Sequence, residues 1–327
     1  MAATPKLTVG FPPGPRTVEL ARLAEDLGYE RVWLFDSAGL YEDIWVWLAL
    51  AARETSVPLG TAVLVPNLRH VMTTAAAIAT LEGLAPGRMA YGFGTGASAR
   101  WVMGKDPLSW ATTRSYFEAL RGLLRGEVVE YEGARTQMLH HAELSVPRPI
   151  EVPLLLSAMG PKGQEIAREI ADGIITIGGG VEGFGWCVQM VNGTVLDDGE
   201  QLTSARVRDA VGPWYVLAYH GTYQGAGAAV DGLPSGAEWR ASIEAERPEG
   251  ERHLVVHEGH ASHVMPRDQA ILEAAGEGVS GFGWVGSPDD LRGRAEAAAA
   301  AGVTELLYTP AGPDWDREIR AFAAALS

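Results

Sequence analysis

A single cysteine, Cys187, excludes an internal disulfide and any metal site built from several thiolates. Alone, it reads as a small buried apolar residue. Lysine is almost as scarce, with Lys6, Lys105 and Lys162 the only three, and the formal net charge is −15. Such a surface repels the phosphates of nucleic acids and anionic membranes, so neither is an expected partner. An anionic small molecule would have to be held locally, by backbone N–H groups at helix starts and a few arginines. No apolar run reaches the roughly 18 residues of a membrane-spanning helix. The first residues, MAATPKLTVGF, lack the charged and long apolar regions of a secretory leader, so a cytoplasmic location is expected. No internal repeat and no linker divides the chain, which predicts one domain over residues 1–327.

What is present is alternation. Hydrophobic residues make up 47% of the 327 and charged residues 20%, the balance of a chain with a packed core. Short β-branched runs at 7–11 (LTVGF), 31–36 (RVWLFD), 57–64 (VPLGTAVL) and 88–94 (RMAYGFG) alternate with helical periodicities at 16–28, about 42–54 and 71–84. A helix from about 107 to 124 precedes a polar interruption with hairpin-like pieces at 126–149. Strands are then expected at 152–159, 172–180, 212–220 (GPWYVLAYH) and 303–310. Helices are expected at 160–171, at 287–302 with Ser287 as N-cap and Pro288 first, and at the end of the chain. The stretch before 212 reads as helical or irregular, and residues 221–287 as an insertion.

Eight strands alternating with helices predict an α/β protein, a (β/α)8 TIM barrel with insertions after strands four and seven. An open doubly wound sheet is the competing architecture. Its Gly-rich signature belongs at the first strand-to-helix turn, whereas here GTGASAR (94–100) follows strand four. In such barrels the site lies at the C-terminal ends of the strands. That rule selects Asp36 and Ser37, Ala62 to His70, Thr95 to Arg100, and Ser157 to Lys162. It also selects Gly178 to Gly180, Tyr219 with His220, and Thr309. The turns SAMGPKG and TIGGG suit a phosphate-bearing cofactor, because Gly160, Pro161 and Lys162 open a helix with free N–H groups and Gly178 and Gly179 allow close approach.

Four of the eight histidines lie in HLVVHEGHASH (253–263). A zinc protease needs HExxH on a helix, and HEGH has the wrong spacing. His260 and His263 could share a helical face, and His253 and His257 one face of a strand. No third ligand is evident in the sequence, so no metal site is predicted. The segment reads either as surface and packing histidines or as the lining of a substrate pocket.

Several segments resemble a known family: TAVLVPNLRHVMTTAAAIATLEGLAPGRMAYGFGTG, GYERVWLFD, LLRGEVVEYEG, PLLLSAMGPKGQEIAREIADGIIT and GSPDDLRGRAEAAAAAGVTELLYTP. Together they are similar to the bacterial luciferase-like superfamily, in its branch of deazaflavin (coenzyme F420) oxidoreductases. The resemblance implies a barrel with the cofactor ring across the strand ends, backed by a non-prolyl cis peptide at Ala62–Val63. It implies cofactor contacts from Asp36, Ser37, Thr61, Ala62, Val63, Thr95, Gly96, Arg100, Ala158, Gly160, Pro161, Lys162, Gly178 and Gly179. It also implies hydride transfer with a small organic substrate, by reduction at C=C or C=N, and a homodimer. Two departures stand out. Sugar-phosphate dehydrogenases of the family carry His after the strand-two Asp, where this chain has Ser37. They carry a catalytic Glu where this chain has Ala97. With that histidine absent, His257, His260 or Tyr219 is the expected proton donor, with Ser37 beside the ring. FMN-dependent oxygen chemistry and a non-catalytic ligand-binding role are the alternatives.

Overall fold

A computed structural model describes residues 4–327; the first three, where the leader reading begins, lie outside the described residues. The chain divides into two compact units, each assembled from separate segments. Residues up to 97, 107–189 and 298–307 form the first, and 98–106, 190–297 and 308–327 the second.

The first unit holds the barrel. Its strands are β1 (Lys6–Phe11), β2 (Val32–Leu34), β3 (Leu59–Leu64), β4 (Met89–Phe93), β5 (Leu154–Ser157) and β6 (Gly173–Thr176), with the start of β7 (Cys187–Val195) and of β8 (Glu305–Thr309). Each pairs in parallel with the next from β1 to β7, and β8 lies between β7 and β1. Within this unit Thr304 N donates to the Cys187 carbonyl and Lys6 N to the Thr304 carbonyl, both at 2.9 Å, which closes the ring. All three residues of β2 and all five of β4 are buried, the continuous apolar runs of a parallel sheet covered on both faces.

One end of the barrel is held by a buried carboxylate. Glu305, 2% exposed, accepts from Thr8 Oγ1 at 3.0 Å and from Trp33 Nε1 and Trp186 Nε1 at 2.8 Å. These residues sit at strand beginnings, where barrels keep stability rather than chemistry. The expected polar interruption before β5 is an antiparallel hairpin of Val129–Tyr131 and Ala134–Thr136.

The second unit corrects the expectation for strand seven. GPWYVLAYH is not a strand: it lies inside the helix Ala205–Ala226. The seventh strand is Cys187–Val195, in the stretch expected to be helical or irregular. Ser204 accepts from Val207 N at 3.2 Å and starts the helix. Val207 and Val211 before Pro213, and Val216, Tyr219 and His220 after it, are then buried at helical spacing. Packing of the valines and Tyr219 with Trp239, Ile243, Val256 and Ile271 outweighs the β preference of valine and aromatic residues. Pro213, inside the helix, supplies no donor to the Asp209 carbonyl; Gly312 approaches that oxygen so closely that a Cβ would lie 2.4 Å away.

The insertion after the seventh strand therefore begins at 196 rather than 221, and it returns through Trp284–Gly286, which pairs in parallel with Gly193–Val195. Tyr308 and Phe322 stack at 3.8 Å and 7°. The nearly buried Glu318 accepts from Arg206 at 3.0 Å and from Arg317 at 3.1 Å. No helix among the described residues is long and apolar enough to cross a membrane.

Candidate active site at the strand ends of the barrel

Strand β3 breaks register where the sequence places the ring support. Thr61 pairs with Tyr91 and Leu64 with Phe93, so the bulge lies between them, and the Ala62–Val63 peptide within it is cis. The bulge leaves Gly92 without a register partner in β3, although it still pairs with Leu155 of β5. Thr61 repairs the loss: its hydroxyl donates to the Gly92 carbonyl at 3.2 Å and accepts from Gly92 N at 3.1 Å. Thr61 is fully buried, with its hydroxyl bonded to Gly92 across the bulge. Val63, beside it, is partly exposed.

Asp36 and Ser37 follow β2, 6% and 8% exposed. Arg69 Nη1 donates to both Asp36 oxygens, at 2.9 and 3.1 Å, and Arg69 Nη2 to Asp43 at 2.8 Å. Asp43 in turn caps the helix Ile44–Glu54, accepting from Trp45 N at 2.8 Å. Burial raises the Asp36 carboxyl and Arg69 opposes that rise. Asp36 thus anchors the loops after β2 and β3. His70 caps the helix Val71–Leu84 by accepting from Met72 N. This chain of ion pairs was not visible in the sequence, because charge pairing between loops leaves no local pattern.

The glycine loop after β4 needs Gly96, which has φ +80° and lies where a Cβ would sit 2.4 Å from Val65 Cγ1. Thr95 beside it accepts from Leu108 N through its carbonyl. Arg100 belongs to the second unit, and its Nε donates to the Asp106 carbonyl.

The two turns after β5 and β6 are different. A Cβ added at Gly160, Gly178 or Gly179 would meet nothing within 4 Å. Gly160 N-caps the helix Pro161–Ile170 without any side-chain cap. The first turn of that helix therefore has free N–H groups, with Lys162 exposed beside them. Gly180 by contrast abuts the Ala301 carbonyl, where a Cβ would lie 1.8 Å away. Ala158 is buried, and its N–H donates to the Ile175 carbonyl.

The expected proton donors lie in the second unit. Tyr219 is in its apolar core and donates to the Pro234 carbonyl at 2.8 Å. His257 and His260 turn toward each other and toward His220, a partner the sequence spacing did not reveal. All three are at most 4% exposed. Burial lowers each ring, with neighbouring histidines adding to it, His257 to about 4 and His260 to about 3. His253, by contrast, packs against Gly104, and His263 Nδ1 meets Ser262 Oγ at 3.1 Å.

A closed eight-stranded parallel barrel with a bulge in its third strand and open glycine turns after its fifth and sixth defines a (β/α)8 protein. The chain belongs to the luciferase-like monooxygenase family, which it matches over residues 3–305. A 5,10-methylenetetrahydromethanopterin reductase of Methanopyrus kandleri is 26% identical over 93% of this chain and 91% of its own. The corresponding reductase of Methanolobus tindarius is 34% identical, but the match spans only 47% of this chain and 48% of that one. An F420-dependent glucose-6-phosphate dehydrogenase of Beutenbergia cavernae is 34% identical over 48% of this chain and 51% of its own. Among solved structures, the Methanopyrus kandleri F420-dependent reductase aligns over 99% of both chains with TM-score 0.66 and 21% identity. An F420-dependent secondary alcohol dehydrogenase gives 0.64 and 17% identity over 99% of this chain and 100% of that one.

Proposed function

We propose that this protein is a coenzyme F420-dependent oxidoreductase that transfers a hydride between the deazaflavin and a small organic substrate, reducing a C=C or C=N bond. The observation that carries the reading is the closed barrel with a bulge between Thr61 and Leu64 and open glycine turns after β5 and β6. Relatives named as F420-dependent enzymes support the choice of cofactor. When bound, the cofactor supplies the hydride chemistry at its C5. Val63, with the backbone of Ala62, backs the ring, and Thr95 and Gly96 border it. The phosphate is held by N–H groups around Gly160 and Gly178–Gly179, with Pro161 shaping the turn and Lys162 adding charge. Asp36 contributes through Arg69, fixing the loops on which Ser37 and Val63 stand.

Ser37 is the side chain we assign to the substrate, as a hydrogen-bonding group where sugar-phosphate dehydrogenases carry histidine. With Ala97 in place of glutamate, a sugar phosphate is not the substrate. The mutual contacts of His257 and His260 leave them poorly suited to deliver a proton, so protonation falls to Ser37 or to solvent. The family match crosses segments of both units, which supports reading 1–327 as one functional domain. A cytoplasmic homodimer is the expected form, supported by the family resemblance.

The test is spectroscopic. The purified protein is titrated with F420 and with FMN, then supplied with reduced F420 and a panel of enones and imines. Tight F420 binding and oxidation of the reduced cofactor by an acceptor are expected. Tight FMN binding without F420 binding would replace the reading by an FMN-dependent monooxygenase, which the similarity to a monooxygenase from Streptomyces bottropensis favours (TM-score 0.60, 18% identity). Binding of F420 with no turnover on any acceptor would favour a non-catalytic role.

A further inference from the structure

We propose that His220, His257 and His260 form a metal site that binds one zinc-like divalent ion through three imidazole nitrogens. His220 comes from the helix Ala205–Ala226; His257 and His260 come from the turn after the helix Arg252–Val256. Hydrogen bonding of His260 N to the His257 carbonyl at 3.2 Å closes that turn and puts both rings on one side. His260 Nδ1 lies 3.1 Å from His220 Nδ1 and 3.3 Å from His257 Nδ1. A tetrahedral ion bonded at about 2.0–2.1 Å sets its ligand nitrogens about 3.3–3.4 Å apart. The three donor atoms all lie within 4.8 Å of one another, and no cysteine or carboxylate joins them among the described residues. Three imidazoles without thiolate suit zinc and its late first-row neighbours.

The proton inventory favours an ion over a hydrogen-bonded triplet. An imidazole nitrogen carries either one proton or one in-plane lone pair, so His260 Nδ1 can make one good hydrogen bond, not two. The outer nitrogens of His257 and His260 are engaged. His257 Nε2 faces Gln224 Oε1 at 3.5 Å, and a ring proton held there would leave the Nδ1 lone pair pointing inward. His260 Nε2 meets Ser98 Oγ at 2.7 Å, a hydroxyl able to accept its proton in the same way. Inward lone pairs at these distances repel unless a cation lies between them. Outer partners that fix ring tautomers are what metal-bound histidines ordinarily have. Trp101 stacks on His257 at 6.0 Å and 13°, and Trp239 on His220 at 6.0 Å and 23°, which gives the site an apolar wall. Three protein ligands leave a fourth position for water or a small ligand.

The probe is the metal alone. Full-length protein is stripped with a chelator and titrated with zinc by calorimetry and with cobalt(II) by visible absorption. A single equivalent, an intense tetrahedral cobalt spectrum and a melting temperature that climbs with zinc concentration are expected. Ser98→Ala and Gln224→Leu should each weaken binding about 10–100-fold, and His260→Gln should weaken it further. His260→Cys, which keeps a ligand if the glutamine variant folds poorly, should add a thiolate-to-cobalt charge-transfer band. A wild-type protein with no tetrahedral cobalt spectrum overturns the site, as does a folded His260→Gln variant with the wild-type spectrum. F420 binding is a separate measurement, so either conclusion can fail without the other.

Discussion

His220 Nδ1 lies 3.1 Å from His260 Nδ1 although 40 residues separate them in the chain. The helix Ala205–Ala226 is buried in the core of its unit, and His220 is carried inward with Val216 and Tyr219. The same inward face that reads as packing thus supplies the third member of the cluster.

Thr61→Val tests the bulge repair. Valine keeps the shape but leaves the buried Gly92 N–H and carbonyl without their hydroxyl partner. A loss of about 1–3 kcal/mol in unfolding free energy is expected, measured by denaturant titration. A loss within experimental error would show that Gly92 is satisfied by other means.

Arg69→Met strands the Asp36 carboxylate in a site where its side chain is 3% exposed. Leaving a buried charge unpaired should cost about 3–5 kcal/mol. The double variant with Asp36→Leu should recover part of that, because the charge itself is gone. Equal stability of the two variants in urea unfolding would contradict the anchoring role.

The open and closed glycines separate binding from folding. Gly178→Ala adds a methyl group to empty space and should change stability by no more than about 0.5 kcal/mol. It should nevertheless weaken F420 affinity about tenfold, a difference of about 1.4 kcal/mol. Gly180→Ala, which drives a Cβ toward the Ala301 carbonyl, should destabilise the fold itself. Fluorescence titration with F420 and thermal melts read the two effects apart; unchanged affinity in Gly178→Ala would remove the turn from the site.

Glu200 gives an acid-side signature. Its hydrogen bond with Arg206 holds the carboxyl at about 2, below its usual 4.5. The folded state therefore releases the proton more readily than the unfolded chain. The resulting stability is complete above pH 4.5 and is lost as pH falls toward 2. On the order of 1–3 kcal/mol is involved. Glu200→Gln should flatten that part of the stability profile, followed by circular dichroism between pH 2 and pH 6. A profile as steep as the wild type's would assign the acid sensitivity elsewhere.

Most of the barrel was legible because its strands are short, apolar and punctuated by turn residues, and β1 to β6 and β8 lie where those runs lie. Strand seven was not. Its run CVQMVNGTV carries Gln189, Asn192 and Gly193 among its apolar residues, while GPWYVLAYH is rich in valine and aromatics. Local preference pointed the wrong way in both, and only the helical spacing from Val207 to His220, opened by Ser204, gave the opposite signal. The Ala62–Val63 cis bond was reached through family resemblance, since no single residue there demands it.

The sequence by itself determined the alternation that makes a barrel and the glycines that open the turns after β5 and β6. These follow from periodicity and backbone freedom, which act over a few residues. The tertiary structure decided the rest: that Thr61 serves Gly92, that Arg69 joins Asp36 to Asp43, and that three buried imidazoles converge. Each is a contact between segments far apart in the chain, and such contacts are set by how helices and strands pack.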